Sequence, residues 1–319
     1  MTTHAREKPA TLDPAKFRDP RLTAKGERRA SVALAGLKTL WFNTGTLCNL
    51  TCGNCYIESS PVNDRLVYLT ATEVAAYLDE IAALGLATEE IGITGGEPFM
   101  NPEIIAILEE ALARGFRVLV LTNAMRPMMK HASALAALNA RLGARLAIRV
   151  SIDHYGPALH ELERGARSWK PTIEGLQWLA RNGFTVYVAG RTAWGEAEES
   201  LRRGYGRLFA ELGVAIDAED PAELVLFPEM DAGLDVPEIT EACWGILDVS
   251  PDAMMCASSR MVVKRKGAAA PAVVPCTLLP YDTQFEMGAR LADARAPVAL
   301  NHPHCARFCV LGGGACSKG

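Results

Sequence analysis

Three cysteines fall within eight residues in the stretch Cys48-Asn49-Leu50-Thr51-Cys52-Gly53-Asn54-Cys55-Tyr56. Thiolates are soft ligands that select zinc or iron–sulfur clusters. A closed structural zinc site takes four ligands, and this loop offers neither a fourth cysteine nor a histidine. On a cubane cluster, three cysteines leave one iron open to a small molecule, an arrangement suited to chemistry rather than to structure. Two plainer readings compete. One is a zinc knuckle that borrows a distant ligand; the other is a redox pair, since Cys52 and Cys55 form a Cys-x-x-Cys.

The elements that must hold this loop alternate in type. Residues 39–44, Thr39-Leu40-Trp41-Phe42-Asn43-Thr44, have the β-branched and aromatic content of a strand, so the loop sits at a strand's C-terminal end. A helix is expected over 72–84, with Val74, Leu78, Ile81 and Leu84 on one face and Gly85 as its stop. A strand over 90–94 runs into Gly95-Gly96-Glu97-Pro98. The next helix starts at Pro102, capped by Asn101, and ends at Gly115. Strands over 117–122, 146–152, 185–189 and 223–227 follow, with helices over 133–142, 172–182 and 197–211. Six strands alternating with helices predict an α/β fold with parallel strands and right-handed crossovers, either doubly wound or curved into a barrel. Periodicity does not separate these. In both, the loops after the strands share one rim, where sites are built; Gly95 to Pro98, Asn123, Ser151 and Asp153 fall there. Each also has a plain reading as a turn or cap residue. The two glycines would also let backbone approach a ligand closely, and Glu97 could accept hydrogen bonds from a ligand ammonium.

Cys-x3-Cys-x2-Cys followed by an aromatic residue, joined to Gly-Gly-Glu-Pro after the second strand, resembles the signature of the radical S-adenosylmethionine (SAM) enzymes. The resemblance implies a partial (βα)6 TIM-type barrel, open at one side. It implies a [4Fe-4S] cluster on Cys48, Cys52 and Cys55 whose open iron chelates the amino and carboxylate groups of SAM. An electron, from a donor such as flavodoxin or ferredoxin, then cleaves SAM to methionine and a 5′-deoxyadenosyl radical that abstracts hydrogen from substrate. The SAM site carried over comprises Tyr56, Gly95, Gly96, Glu97 and Pro98, then Asn123 of Leu121-Thr122-Asn123-Ala124, and Ser151 and Asp153 of Ser151-Ile152-Asp153. Gly156-Pro157 and His160-Glu161-Leu162-Glu163-Arg164-Gly165 are similar to a run in one branch whose arginine pairs with the SAM carboxylate, which assigns that role to Arg164. A planar guanidinium fork suits a carboxylate; a surface salt bridge is the plain alternative.

After Phe227 the alternation stops, and six of the nine cysteines follow: Cys243, Cys256, Cys276, Cys305, Cys309 and Cys316. Cys256 and Cys276 flank a β-hairpin pattern, and Cys305, Cys309 and Cys316 gather around Gly312-Gly313-Gly314. This is similar to the SPASM or twitch extension of radical SAM enzymes, which holds auxiliary [4Fe-4S] clusters. The glycines stand where that extension often has another cysteine, so one auxiliary cluster is expected, on four of Cys256, Cys276, Cys305, Cys309 and Cys316. Zinc is the alternative, with His302 and His304 as further ligands. Cys243 reads as a buried small hydrophobe or as a hydrogen-atom donor to a substrate radical. Glu229 and Asp231, after the sixth strand, are candidate bases.

Composition bounds the rest. With 319 residues, 49% hydrophobic and 22% charged, the chain has length for a large core. A net charge of −4 argues against a nucleic-acid binder, and Lys264-Arg265-Lys266 reads as a solvated hairpin tip. No apolar core follows Met1 to Arg6, and no run reaches a membrane span, which predicts a cytoplasmic, reducing setting with no membrane partner and with cysteines serving metal rather than disulfides. The expected domains are an extension over 1–37 lying across the core, a radical SAM core over 38–230 and a Cys-rich extension over 231–319. The reading implied is an enzyme acting on a peptide or protein by oxidation or crosslinking. The alternatives are oxidation or rearrangement of a small metabolite and, from another class, a non-catalytic zinc or Fe-S regulator.

Overall fold

The computed structural model describes residues 10–229 and 231–313. The elements run β1 (Ser31–Val32), β2 (Thr39–Asn43), α1 (Ala71–Ala83), β3 (Glu90–Thr94), α2 (Ile104–Ala113), β4 (Arg117–Thr122), α3 (Arg126–Met129), α4 (Ala132–Leu142), β5 (Leu146–Ser151), α5 (Pro157–Arg164), α6 (Trp169–Arg181), β6 (Thr185–Arg191), α7 (Glu198–Leu212), β7 (Leu224–Phe227), α8 (Cys243–Leu247), α9 (Met255–Ser258), β8 (Ser259–Val263), β9 (Ala272–Val274) and β10 (Val298–Ala299).

Strands β2 to β7 lie side by side in chain order, each parallel to the next. A doubly wound sheet reverses its strand order at a switch point. This one does not, so the barrel alternative holds. The hairpin expected in the C-terminal part forms as β8 and β9, and it extends the same sheet: β8 pairs parallel to β2 and antiparallel to β9, giving eight strands.

Period-two alternation sorts the strand residues between two cores. Leu40, Phe42, Ile91, Ile93, Val118, Val120, Ile148 and Val150 pack against helix residues such as Val74, Leu78, Leu108 and Leu176. Trp41 and Leu119 turn to the other face and pack with Met261, Val263, Val274 and Phe308. The C-terminal part thus fills the concave side of the sheet. Each such side chain is worth roughly 1.5–3 kcal/mol on full burial. Trp41 fits only because Gly92 faces it, since a Cβ there would lie 2.3 Å from the indole.

Local chemistry sets the helix ends. Thr70 and Glu73 form a capping box on α1, and Gly85, at φ +60°, follows its end. The helix expected from Pro102 starts instead at Ile104, because Pro98–Met100 form a 3₁₀ turn and Asn101 closes its own turn, its Oδ1 accepting from Glu103 N at 2.9 Å. Helix α5 replaces what read as a motif without an element.

The segment over 10–37 is tied to the residues after β7. Leu12 N donates to Gly233 O at 2.8 Å, Lys16 pairs with Asp235 at 2.7 Å, and β1 pairs with β10. The Glu238 carboxylate accepts from Phe17 N, Ala24 N and the buried Arg29. Lys264, Arg265 and Lys266 each meet a carboxylate, of Glu73, Glu286 and Asp64 respectively. No helix among the described residues is long and apolar enough to cross a membrane.

Candidate active site

A cleft opens at the C-terminal ends of the strands. Cys48, Cys52, Cys55 and Tyr56 form one wall of it. Gly95, Gly96 and Asn123 form the next, followed by Ser151, Asp153 and Arg164. The far wall is apolar, made of Phe227, Pro228, Leu278 and Phe308, so the C-terminal part helps to enclose it.

The cysteine loop is held at both ends. Cys48 N donates to Ser60 O at 3.0 Å, and Gly53 N donates to Glu163 O at 2.9 Å. The Glu163 carboxylate then accepts from Asn54 N at 2.7 Å and from the Asn54 side-chain amide at 3.0 Å. Two sulfurs receive backbone amides, Cys48 from Leu50 N and Cys55 from Ser59 N, each at 3.4 Å. Burial pushes the Cys48 thiol up to about 12 and the Cys52 thiol up to about 11, with Arg164 pulling the latter back. Cys48, Cys52 and Cys55 are free thiols. Three free thiols lining one cleft, with N–H donors on two sulfurs, offer the donor set of a metal cluster with an open position, although they are not drawn together as a metal site among the described residues; ligation is what turns such thiols into thiolates.

The glycines do more than approach a ligand. A Cβ on Gly95, at φ +146°, would sit 2.5 Å from Gly45 O, and one on Gly96 would sit 2.3 Å from Leu47 O. They allow the loop after β3 to press against the root of the cysteine loop. Glu97 and Pro98, assigned to the SAM site by resemblance, do not line the cleft. The buried Glu97 carboxylate is consumed by Thr122 Oγ1 at 2.8 Å, Asn123 N at 2.9 Å and Phe99 N at 3.2 Å, so it braces the loops after β3 and β4. Burial pushes its pKa up to about 7 against the pull of those donors.

Arg164 lines the cleft but is already paired. Its Nε lies 2.6 Å from Asp153 Oδ2, and its Nη2 donates to Asp153 Oδ1 at 3.1 Å. Nη1 makes no hydrogen bond among the described residues, which leaves it for a ligand. Arg191 links the sites: its Nη1 donates to Asn54 O at 3.1 Å and to Glu163 at 3.3 Å, and its Nη2 lies 3.5 Å from Glu229. Glu229 is thus an ion-pair partner rather than a free base. With Asp231 it lines a second, open groove that shares Asn54, Cys55, Tyr56 and Leu278 with the cleft. Asp231 Oδ1 accepts from Gly233 N at 2.7 Å. Cys243 lines neither: its sulfur is 3.4 Å from Thr240 N and Oγ1, packed at the edge of the second core.

Cys256, Cys276, Cys305 and Cys309 line one small, apolar cavity. Cys305 and Cys309 lie on a single π-helical stretch, Cys305–Val310, while Cys256 precedes β8 and Cys276 follows β9. Burial pushes Cys256 up to about 11 and Cys305 up to about 12. Four cysteines lining one cavity supply the donor type of a tetrahedral or cubane centre, while among the described residues no three His, Cys, Asp or Glu side chains are gathered closely enough to hold a metal ion as they stand. Cys316 lies outside the described residues. His304 lines both this cavity and the open groove, and its Nδ1 has no hydrogen-bond partner; His302 lines only the groove.

The residues missed from the sequence are Glu163, Asn54, Gly190 and Arg191. Strand β6 runs two residues past the expected end at Ala189, and the rim rule applied to its true end would have found Gly190 and Arg191. Nothing local marks Glu163, whose partner is 109 positions away.

Residues 42–196 match the family model described as the Radical SAM superfamily. The antilisterial bacteriocin subtilosin biosynthesis protein AlbA of Bacillus subtilis (strain 168) is 29% identical over 143 residues, 44% of this chain and 30% of that protein. The mycofactocin maturase MftC of Mycobacterium tuberculosis (strain ATCC 25618 / H37Rv) is 27% identical over 165 residues, 52% of this chain and 39% of that protein. Among solved structures, Streptococcus suis SuiB bound to precursor peptide SuiA aligns with a TM-score of 0.59 at 14% identity, covering 81% of this chain and 63% of that one. At that identity the likeness is one of fold. The chain spans about a third of the length of these curated relatives.

Proposed function

We propose, from the chain's membership of the radical SAM superfamily, that this enzyme modifies a peptide by hydrogen abstraction and holds one auxiliary [4Fe-4S] cluster. An enzyme core sets aside the non-catalytic regulator. The [4Fe-4S] cluster and SAM of the family supply, when bound, a reductively generated 5′-deoxyadenosyl radical. Cys48, Cys52 and Cys55 would hold that cluster. The Gly95-Gly96 backbone, Asn123, Ser151 and the Asp153–Arg164 pair would orient SAM beside it, with Arg164 Nη1 free to meet its carboxylate. Phe227, Leu278 and Phe308 exclude water from the far wall, which protects a reactive species from side reactions. Cys256, Cys276, Cys305 and Cys309 would hold the auxiliary cluster, as in a SPASM or twitch extension.

The observation that carries the peptide reading is the open groove sharing Asn54, Cys55, Tyr56 and Leu278 with the cleft. An extended chain can lie in it and present one residue at the cluster mouth. AlbA is a bacteriocin biosynthesis protein by its name, and SuiB was solved with a precursor peptide; both favour this substrate class over a small metabolite.

The test is anaerobic reconstitution with iron and sulfide, then iron counting and a dithionite assay for 5′-deoxyadenosine. The wild type should hold about eight irons and the Cys48→Ala/Cys52→Ala/Cys55→Ala variant about four, with no 5′-deoxyadenosine. A deuterated peptide encoded beside the enzyme should pass deuterium to 5′-deoxyadenosine. Transfer from a small metabolite alone would replace the peptide by that substrate.

A further inference from the structure

Behind the backbone of Cys256, which lines the four-cysteine cavity, lies a cation that no carboxylate among the described residues pairs. Arg260, in β8, is 1% exposed. Its Nε donates to Ala294 O at 2.9 Å, and its Nη1 donates to Cys256 O at 2.6 Å and Ser259 O at 2.8 Å. Its Nη2 has no hydrogen-bond partner among the described residues. A guanidinium does not lose its proton in a protein, and an isolated buried charge is costly. Three carbonyls solvate part of it but leave the net charge unanswered.

The missing anion is supplied by what the cavity is built to hold. Cys256 and Cys276 line it together with Cys305 and Cys309. A [4Fe-4S] core on four thiolates is an anion, and it becomes more anionic on accepting an electron. Charge and hydrogen bonds around the sulfurs set the potential of such a cluster.

We propose that Arg260 is the fixed counter-charge of the auxiliary cluster. It is a positioning residue that pins Cys256 through its carbonyl oxygen and raises the cluster's reduction potential by favouring the reduced form. This rests on the auxiliary-cluster reading above.

The test uses the full chain carrying Cys48→Ala/Cys52→Ala/Cys55→Ala, so that only the auxiliary cluster remains. Dithionite titration followed by electron paramagnetic resonance reads its potential in this parent and in Arg260→Met, Arg260→Gln and Arg260→Lys versions. Each neutral variant should lower the reduced-to-oxidised ratio at a fixed potential at least tenfold, about 59 mV for one electron, and the Lys version should move less. A neutral variant that loads about four irons and titrates with the parent overturns the proposal. If neither neutral variant takes up iron while Lys does, charge is required for loading, which supports it. If all three fail alike, the fork alone matters and the proposal falls. A parent without iron, or loaded with zinc, would instead remove the auxiliary-cluster reading itself.

Discussion

The Glu163 carboxylate grips Asn54 twice, at 2.7 Å from its backbone N–H and 3.0 Å from its side-chain amide. Asn54 stands between Cys52 and Cys55, so the last turn of α5 sets the curvature of the metal loop. In Glu163→Gln one oxygen becomes an amide that cannot accept, and Arg191 keeps only Glu229 as an anionic partner. Removing such an outer partner typically costs 10–100-fold in metal affinity. Chelator competition should strip the iron of the SAM cluster from the variant about that much more readily, with iron at the proposed auxiliary site as internal control. Equal retention at both clusters would show that the grip is dispensable.

Asp153 and Arg164 are both largely buried, with side chains 6% and 13% exposed. Removing one partner of a buried pair strands the other charge, at roughly 3–5 kcal/mol. Arg164→Met and Asp153→Asn should each lower the urea midpoint, and the double variant should recover most of the loss while still binding SAM weakly by calorimetry. Additive losses in the double variant would mean that the two charges are not coupled.

The part of this design that was legible in the sequence is the part built from near neighbours. Each strand and helix from Thr39 to Phe227 carries its own periodicity, with stops such as Gly85 and Gly115, and the three-cysteine motif is complete within one loop. What was hidden depends on pairing. The five candidate auxiliary cysteines form a pool in the sequence; in the fold Cys256 and Cys276, on either side of the β8–β9 hairpin, line one cavity with Cys305 and Cys309. Glu97 reads as a ligand-facing carboxylate from its place in Gly95-Gly96-Glu97-Pro98 and the family motif that run resembles. One residue further on, the chain turns inward, and three donors, Phe99 N after β3, Thr122 Oγ1 at the end of β4 and Asn123 N just beyond it, claim the carboxylate.

That inward turn gives Glu97 a pH signature. Its carboxyl has an ordinary value of 4.5, and burial raises it to about 7 in the folded chain. Below pH 4.5 both folded and unfolded chains hold the proton. Between there and about 7 the folded chain binds more protons, so this contribution to stability is lost as pH rises, to a total of about 3 kcal/mol. Glu97→Gln removes the titration. Relative to wild type, its urea midpoint should rise from pH 5 to pH 8, with both proteins in the same cluster state. Parallel midpoints at the two pH values would contradict a raised Glu97.

Gly96 tests whether the loops after β2 and β3 must touch. A Cβ there would lie 2.3 Å from Leu47 O and 2.7 Å from Thr46 O, both backbone atoms just ahead of Cys48, so no side chain can swing aside. Gly96→Ala must push the cysteine loop from its seat, at roughly 1–3 kcal/mol for a forced backbone shift. Gly85→Ala is the control. Its φ of +60° makes alanine cost about 1–2 kcal/mol, but nothing lies within 4 Å of the added methyl. Both variants should melt lower than wild type, and only Gly96→Ala should lose SAM-cluster iron. Iron loss in proportion to melting in both would make the effect one of general stability, and the contact between the loops would then have no special part in holding the cluster.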